Sequence, residues 1–230
     1  MNKGCTEWGR KYLPDVKLYA GNVAFRLGVG GIHSDFHQQH VRGHLIDFDV
    51  TSYYPSLIRQ AGRSPAGLTD DWLKHFVDLY EKRVEFKRAG NKAAADVMKI
   101  VINSVYGQLN YPKSDSFDPS MQLQVTLNGQ LFLVMLAEMF ANAGFTIVSA
   151  NTDGILIDVG DRKEQSLEIY HRWMDQTSHQ LEYEAYTQYV CRSVNDYFAV
   201  TPDGKTKRKG LFNVTSGLQP SIIPNAIIAY

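Results

Sequence analysis

Residues 47–56 read Asp-Phe-Asp-Val-Thr-Ser-Tyr-Tyr-Pro-Ser and follow the apolar pair Leu45-Ile46. Pro55 has a fixed φ and no N–H to donate, so a strand that carries Asp47 and Asp49 cannot continue regularly through it. A carboxylate at a strand end, beside a turn with free amides and hydroxyls, suits a site for a metal ion and a phosphate. Taken alone, the decapeptide is equally compatible with a strand that ends in an ordinary Asx or ST turn.

Composition sets the broad class of protein. The chain has 230 residues, of which 44% are hydrophobic and 21% charged, as in a globular protein with a sizeable core. Lys+Arg and Asp+Glu number 24 each, so a basic surface for nucleic acid must be local. Two cysteines, Cys5 and Cys191, fit a reducing compartment and exclude a disulfide framework. We expect no signal peptide and no membrane contact, since the apolar stretch at 131–143 is short.

Two stretches with helical periodicity, 72–88 and 92–106, flank a tight turn at 89–91. Helices joined by so short a loop lie antiparallel. Basic residues would give this hairpin a side suited to a triphosphate, although a solvated charged face is the plainer alternative. The second helix has an apolar face formed by Ala93, Ala94, Val97, Ile100, Val101 and Val105.

A second candidate carboxylate lies in the turn between two apolar stretches. Residues 145–150 and 155–159 are typical of strands, and Asn-Thr-Asp-Gly at 151–154 is typical of a hairpin turn between them. Turn chemistry alone explains most such tetrapeptides. Here Asp153 has a potential partner in Asp49.

Other segments complete the expected outline. Residues 1–20 suggest a helix or an irregular lead-in, 121–143 a buried core helix, and 163–181 a helix on the back of a sheet. Residues 205–209 hold four cations in five positions, which suits phosphate contacts or a solubilising hairpin edge. The histidines near residue 40 lack cysteine neighbours, so we interpret them as polar loop residues, not as zinc ligands.

In order and spacing these segments resemble the family B (DNA polymerase alpha-like) DNA polymerases, especially the phage and plasmid members. The family's first motif, Asp-x-x-Ser-Leu-Tyr-Pro-Ser, corresponds to residues 49–56. Its second, Lys-x-x-x-Asn-Ser-x-Tyr-Gly, matches 99–107 in full. Its third, Asp-Thr-Asp-Ser between apolar strands, corresponds to 151–154. The resemblance covers roughly residues 40–215.

The resemblance implies an α+β fold, a polymerase palm made of an antiparallel sheet backed by helices, with a short two-helix fingers insertion. The implied lead-in is 1–40, the palm 41–63 and 107–217, the fingers 64–106, and the start of a missing thumb 218–230. We expect neither an exonuclease domain nor a complete thumb.

The resemblance also implies template-directed DNA synthesis by nucleotidyl transfer from dNTPs to a primer 3′-hydroxyl, which makes the chain a DNA-directed DNA polymerase. Two Mg²⁺ ions would be held by Asp49, Asp153 and the carbonyl of Val50, and Lys99 would neutralise phosphate. The implied nucleotide-binding residues are Ser52, Tyr53, Tyr54, Arg83, Lys87, Lys99, Asn103, Tyr106 and Gly107. Primer-template DNA would be held by Tyr197, Lys205, Lys207 and Lys209.

The chain departs from the family pattern in three ways. Asn151 replaces an acid, Gly154 replaces a serine, and 194–196 replace lysines that usually precede the equivalent of Tyr197. One alternative is a catalytically silent DNA-binding fragment or subunit, which requires a separate chain carrying the exonuclease and thumb. A reverse transcriptase or primer-synthesising palm enzyme is another. The phage type implies the cytoplasm of an infected bacterium.

Overall fold

The computed structural model describes residues 16–28, 30–35, 40–213 and 226. Its strands are β1 Val16–Ala20, β2 Val23–Gly28, β3 Gly31–Ser34, β4 His40–Val50, β5 Thr146–Asn151, β6 Gly154–Asp158, β7 Leu181–Ser193, β8 Asp196–Val200 and β9 Thr206–Lys209. Its helices are α1 Tyr53–Ala61, α2 Asp70–Arg88, α3 Lys92–Gln108, α4 Pro119–Asn142 and α5 Lys163–Thr177. The mixed α/β content of the prediction is confirmed.

The chain divides into two compact units. Among the described residues, the first contains 16, 28, 30–31 and 51–132, and the second contains 17–27, 32–35, 40–50 and 133–213. Helices α1 to α3 and the first part of α4 thus belong to the first unit, and the sheet with α5 belongs to the second. The predicted palm, fingers and thumb limits stay predictions, and the segment 218–230 lies almost wholly outside the described residues.

The second unit is built on a nine-stranded sheet of order β1-β2-β3-β5-β6-β4-β7-β8-β9. The six pairings from β3 to β9 are antiparallel. Strand β4 lies between β6 and β7, so both of its edges are hydrogen-bonded. Because side chains alternate along a strand, residues 45, 47 and 49 face one side of the sheet and 46, 48 and 50 the other.

One side of this sheet is covered by aromatic packing. The Phe48 ring stacks on Phe140 of α4, with ring centroids 5.1 Å apart, and lies 5.7 Å from Tyr170 of α5. Trp173 of α5 is fully buried. This packing confirms the prediction that the helix in 163–181 covers the back of the sheet. The opposite side carries an apolar cluster that includes Leu45, Leu156, Tyr186, Tyr189 and Cys191.

The first unit contains the predicted helical hairpin, α2 and α3, joined at residues 89–91. The helix N-terminus of α4 is fixed by Asp118, whose carboxylate accepts the Met121 N–H at 2.9 Å and pairs with Arg63 at 2.7 Å. Such a cap satisfies an amide that the helix itself leaves open. Tyr53 donates a hydrogen bond to the Gly129 carbonyl, which ties α1 to α4 within this unit.

One prediction about local structure was wrong, and one helix face is more exposed than its apolar character suggests. Residues 16–20 form a strand, not a helix or an irregular lead-in. On α3 only Ala95 and Ile102 are buried, whereas Val97 is 61% and Ile100 72% exposed. Periodicity identifies which side of a helix is apolar, but it does not show that another element covers that side.

Helix α4 confirms the predicted core helix, with fully buried residues such as Met121, Leu136 and Phe140. Leu127 and Leu131, however, are exposed. By length and composition alone α4 is apolar enough to cross a membrane, but about half of its most apolar stretch is buried within the protein. A core helix of a globular protein passes the same test, so the observation is weak evidence for a membrane.

Candidate functional site

The pairing of β4 with β6 brings the two predicted metal-binding aspartates together. Asp49 lies opposite Gly154 in the antiparallel register, and the Val50 N–H donates to the Asp153 carbonyl at 2.7 Å. Both carboxylates line one cavity of about 320 Å³ on the side of the sheet that carries Leu156 and Tyr189. Its further lining residues are Asp47, Ser149, Ala150, Asn151, Gly154, Val194, Tyr197, Lys207, Arg208 and Lys209.

Glycine at position 154 allows this close approach. A Cβ at Gly154 would lie 3.0 Å from the Phe48 carbonyl oxygen and 3.1 Å from an Asp49 carboxylate oxygen. These contacts are tighter than most Cβ contacts, so β4 would have to shift by a few tenths of an ångström to admit a larger residue.

The amide of Asn151 holds the turn between β7 and β8. Its Nδ2 lies 3.3 Å from the Val194 carbonyl and 3.1 Å from Asn195 Oδ1. Its Oδ1 accepts a hydrogen bond from Thr152 at 3.1 Å. A carboxylate at this position could not donate to Val194. Asn151 thus links the tip of the β5–β6 hairpin to the turn that precedes Tyr197.

Asp47 was given no role by the sequence, yet it lines the same cavity. Burial raises the pKa of Asp47 to about 6, against the opposing effects of Lys207 and of the hydrogen bond from Tyr186. The Tyr186 hydroxyl lies 3.4 Å from Asp47 Oδ2 and donates to Glu184 at 2.8 Å. Lys207 and Tyr186 thus favour the ionised form of the Asp47 carboxylate at this cavity, against the effect of burial.

The structure brings three of the four predicted DNA-binding residues to this cavity and leaves one apart. Tyr197, Lys207 and Lys209 line it, and the Lys209 ammonium lies 5.8 Å from the Tyr197 ring centroid. Burial raises the pKa of Tyr197 to about 12, so its phenol is neutral. Lys205 is not among the lining residues and pairs with Asp203 at 2.6 Å.

The carboxylates fit the metal that the resemblance implies. Among the described residues, no group of three or more His, Cys, Asp or Glu side chains could hold a metal ion. Mg²⁺ commonly uses only one or two protein carboxylates and completes its shell with water and substrate phosphates. Asp49 and Asp153 provide two such carboxylates beside one cavity. A third protein ligand is therefore not required.

In the first unit, Ser52 and Arg83 are in contact. Arg83 Nη1 donates to Ser52 Oγ, and the Arg83 side chain is 7% exposed. Its Nε is buried with no hydrogen-bond partner among the described residues. Ser52 has φ 52° and precedes α1 without a side-chain cap, a left-handed conformation that costs energy for a non-glycine residue. A buried, incompletely bonded guanidinium beside a helix N-terminus suits an anion.

Two predicted nucleotide-binding tyrosines stack on each other in the same unit. The Tyr54 and Tyr106 rings are 4.0 Å apart and nearly parallel, at 9°, and the Tyr106 hydroxyl shares a hydrogen bond with Thr126 at 2.7 Å. Lys99 and Asn103 are exposed on α3, as is Gly107. Lys87 lies in the last turn of α2, and Tyr53 is buried against α4, away from solvent.

Comparison with known proteins supports the resemblance at this point. No protein-family model matches the sequence. The sequence is similar to DNA polymerase II of Escherichia coli (strain K12), with 27% identity over 180 residues, which are 65% of this chain and 23% of that protein. The fold of this chain is similar to that of the family B DNA polymerase from the hyperthermophilic archaeon Pyrobaculum calidifontis, with a TM-score of 0.58 and 13% identity.

The structural similarity covers 86% of this chain and 30% of the archaeal polymerase. The chain therefore spans about a quarter to a third of the relatives it matches. This similarity confirms the fold that the resemblance predicted, an antiparallel sheet with helices.

Substitution of Gly154 by alanine tests the close approach of β4 and β6. We expect Gly154→Ala to lower the free energy of unfolding by about 1–3 kcal/mol because the Phe48 carbonyl must shift. Chemical denaturation followed by circular dichroism measures the change. Gly28→Ala is the control, because nothing lies within 4 Å of its Cβ position. Equal stability of both variants would contradict the steric account.

Substitution of Asn151 by aspartate tests the role of its amide. Asn151→Asp restores the family's acid but leaves a carboxylate facing the Val194 carbonyl, so we expect a loss of about 1 kcal/mol in stability. Denaturation at pH 8 measures the loss, and Asn195→Lys added to this variant should recover it by supplying a cation. An Asn151→Asp protein at least as stable as the parent would show that the amide is not needed.

Proposed function

We propose that this chain carries out template-directed DNA synthesis, by nucleotidyl transfer from a dNTP to the 3′-hydroxyl of a primer. The observation that carries the proposal is the meeting of Asp49 and Asp153 at one cavity, through the β4–β6 pairing. Similarity in sequence to a DNA polymerase supports it. Either carboxylate alone would be explained equally well by ordinary turn chemistry.

Asp49 and Asp153, with the Val50 carbonyl, would hold divalent Mg²⁺. The bound ions would supply the charge that lowers the pKa of the attacking hydroxyl and neutralises the leaving pyrophosphate. The protein's own contribution is positioning, because in-line phosphoryl transfer depends mainly on alignment and charge neutralisation. The hydrogen-bonded β4–β6 pair holds the two carboxylates in a fixed relation before substrate binds.

The nucleotide would be bound by residues of the first unit. Arg83 and Ser52, with the open amides at the start of α1, would bind triphosphate oxygens, and this role accounts for the buried Arg83 Nε. Lys87, Lys99 and Asn103 would add charge and hydrogen bonds from the helical hairpin. Asp49 and Ser52 are only three positions apart in the sequence.

Tyr54 would select deoxyribose over ribose by steric contact with a 2′-hydroxyl. Its ring is braced by the parallel Tyr106 ring, because contacts between aromatic rings stabilise both side chains beyond the area that they bury. Tyr106 and Gly107 would face the nascent base pair. Tyr197 and Lys209 would hold the primer strand near its end.

A fragment or subunit that binds DNA without acting alone is the second candidate function. The chain spans only 23% of the curated polymerase it matches, so a separate chain carrying a thumb and exonuclease would then complete the enzyme. The phage type and a location in the cytoplasm of an infected bacterium stay predictions of the motif pattern.

Extension of a labelled primer on a DNA template, with dNTPs and Mg²⁺, tests the proposal. We expect the parent chain to extend the primer, and Asp49→Asn and Asp153→Asn each to reduce the rate by at least about 10²-fold, as loss of a group that stabilises transition-state charge does. Asp161→Asn makes the same change of charge at a fully exposed carboxylate and should leave the rate unchanged.

The other outcomes separate the alternatives. Binding of primer-template without extension by the parent would favour the fragment, and extension on adding the missing chain would confirm it. Extension that survives both aspartate substitutions would overturn the proposed site.

A further inference from the structure

Strands β4 and β7 place carboxylates directly opposite each other on the side of the sheet that carries the cavity. In the antiparallel register Asp47 lies opposite Glu184, and Asp49 lies opposite Glu182. Like charges directly opposite on neighbouring strands destabilise a sheet. A positive charge on the same side of the sheet would relieve this repulsion.

Lys207 of β9 reaches the pair formed by Asp47 and Glu184. Its ammonium lies 2.9 Å from Glu184 Oε2, 3.8 Å from Asp47 Oδ2 and 2.8 Å from the Tyr186 hydroxyl. Two carboxylates and a hydroxyl therefore surround one cation, which is an arrangement suited to holding an ammonium in place.

We propose that Lys207 is a built-in counter-ion that neutralises Asp47 and Glu184, so that divalent cations are directed to Asp49 and Asp153. This inference rests on the proposed function and assigns Lys207 a positioning role, in place of the phosphate contact that the sequence predicted for it. A phosphate group would have to displace two carboxylates from the ammonium. Lys209 contacts the Tyr197 ring instead and keeps its proposed role at the primer.

The side chain of Lys207 is 45% exposed, so solvent screens its ion pairs and their contribution to stability is small. The effect of Lys207 on the binding of a nearby cation is larger than its effect on stability, because a divalent ion interacts with every charge that lines the cavity. Removing the positive charge of Lys207 should therefore raise the affinity of the cavity for a divalent cation.

Titration of the full chain with Mn²⁺, followed by the electron paramagnetic resonance signal of free Mn²⁺, tests the proposal. We expect Lys207→Met to bind Mn²⁺ about three- to tenfold more tightly. Because Asp47→Asn removes the charge that Lys207 balances, the double variant with Lys207→Met should return to within about twofold of the parent. Lys163→Met, which removes a cation near the Tyr183 ring on the other side of the sheet, should have no effect.

The salt dependence of primer-template binding shows whether Lys207 acts as a counter-ion or contacts a phosphate. A lysine that contacts a phosphate contributes about 0.9 to the slope of log affinity against log salt concentration. We expect the slope to be the same for Lys207→Met and the parent. A slope lowered by about that amount, or an unchanged Mn²⁺ affinity, would overturn the proposal.

If the proposed function is wrong, the results differ from those that would overturn the role of Lys207. If Asp49→Asn and Asp153→Asn leave Mn²⁺ binding intact, the assigned metal site is wrong. Thermal unfolding without Mn²⁺ then still tests the counter-ion role of Lys207. If that role is right, Lys207→Met lowers the melting temperature by about 2 °C, and adding Asp47→Asn recovers most of this loss. Equal destabilisation with and without Asp47→Asn would refute the pairing.

Discussion

The hydrogen bond from the Val50 N–H to the Asp153 carbonyl, 2.7 Å long, fixes the relation between two segments a hundred residues apart in the chain. It extends the β4–β6 ladder by one step beyond the pair Asp49 and Gly154. Without this step Asp153 would be the tip of an ordinary hairpin. Gly154 favours it, because a Cβ there would lie 3.0 Å from the Phe48 carbonyl oxygen. The site thus depends on the strand register as much as on its carboxylates.

Charge is the second constraint on this side of the sheet. Antiparallel pairing forces acids on β4 to face acids on β7, and Asp153 adds a further carboxylate at the same cavity. The basic strand β9 is separated from β4 by two strands, β7 and β8, in the sheet order, yet its Lys207 lies 3.8 Å from Asp47. The net charge of zero for the chain therefore hides a strongly uneven local distribution, which suits a site that binds cations and a polyanion together.

Much of the fold could be predicted because its signals are local. The Asn-Thr-Asp-Gly turn between apolar strands, the tight turn at 89–91 and the apolar periodicity of α4 each depend on neighbours in the sequence. The exposed side of α3 and the role of Asp47 could not be predicted in this way. Asp47 gains its importance from Glu184 and Lys207, which are distant in the sequence, and the register that brings them together is a property of the folded sheet.

We propose that Asp49 and Asp153 bind the same divalent cations. Crystals of the chain grown with Mn²⁺ and a dNTP, and measured at the manganese absorption edge, test it most directly. The account predicts an anomalous peak about 2.1 Å from carboxylate oxygens of both residues, the distance usual for a hard octahedral cation. A peak bound only by other residues, or none at saturating Mn²⁺, would contradict it.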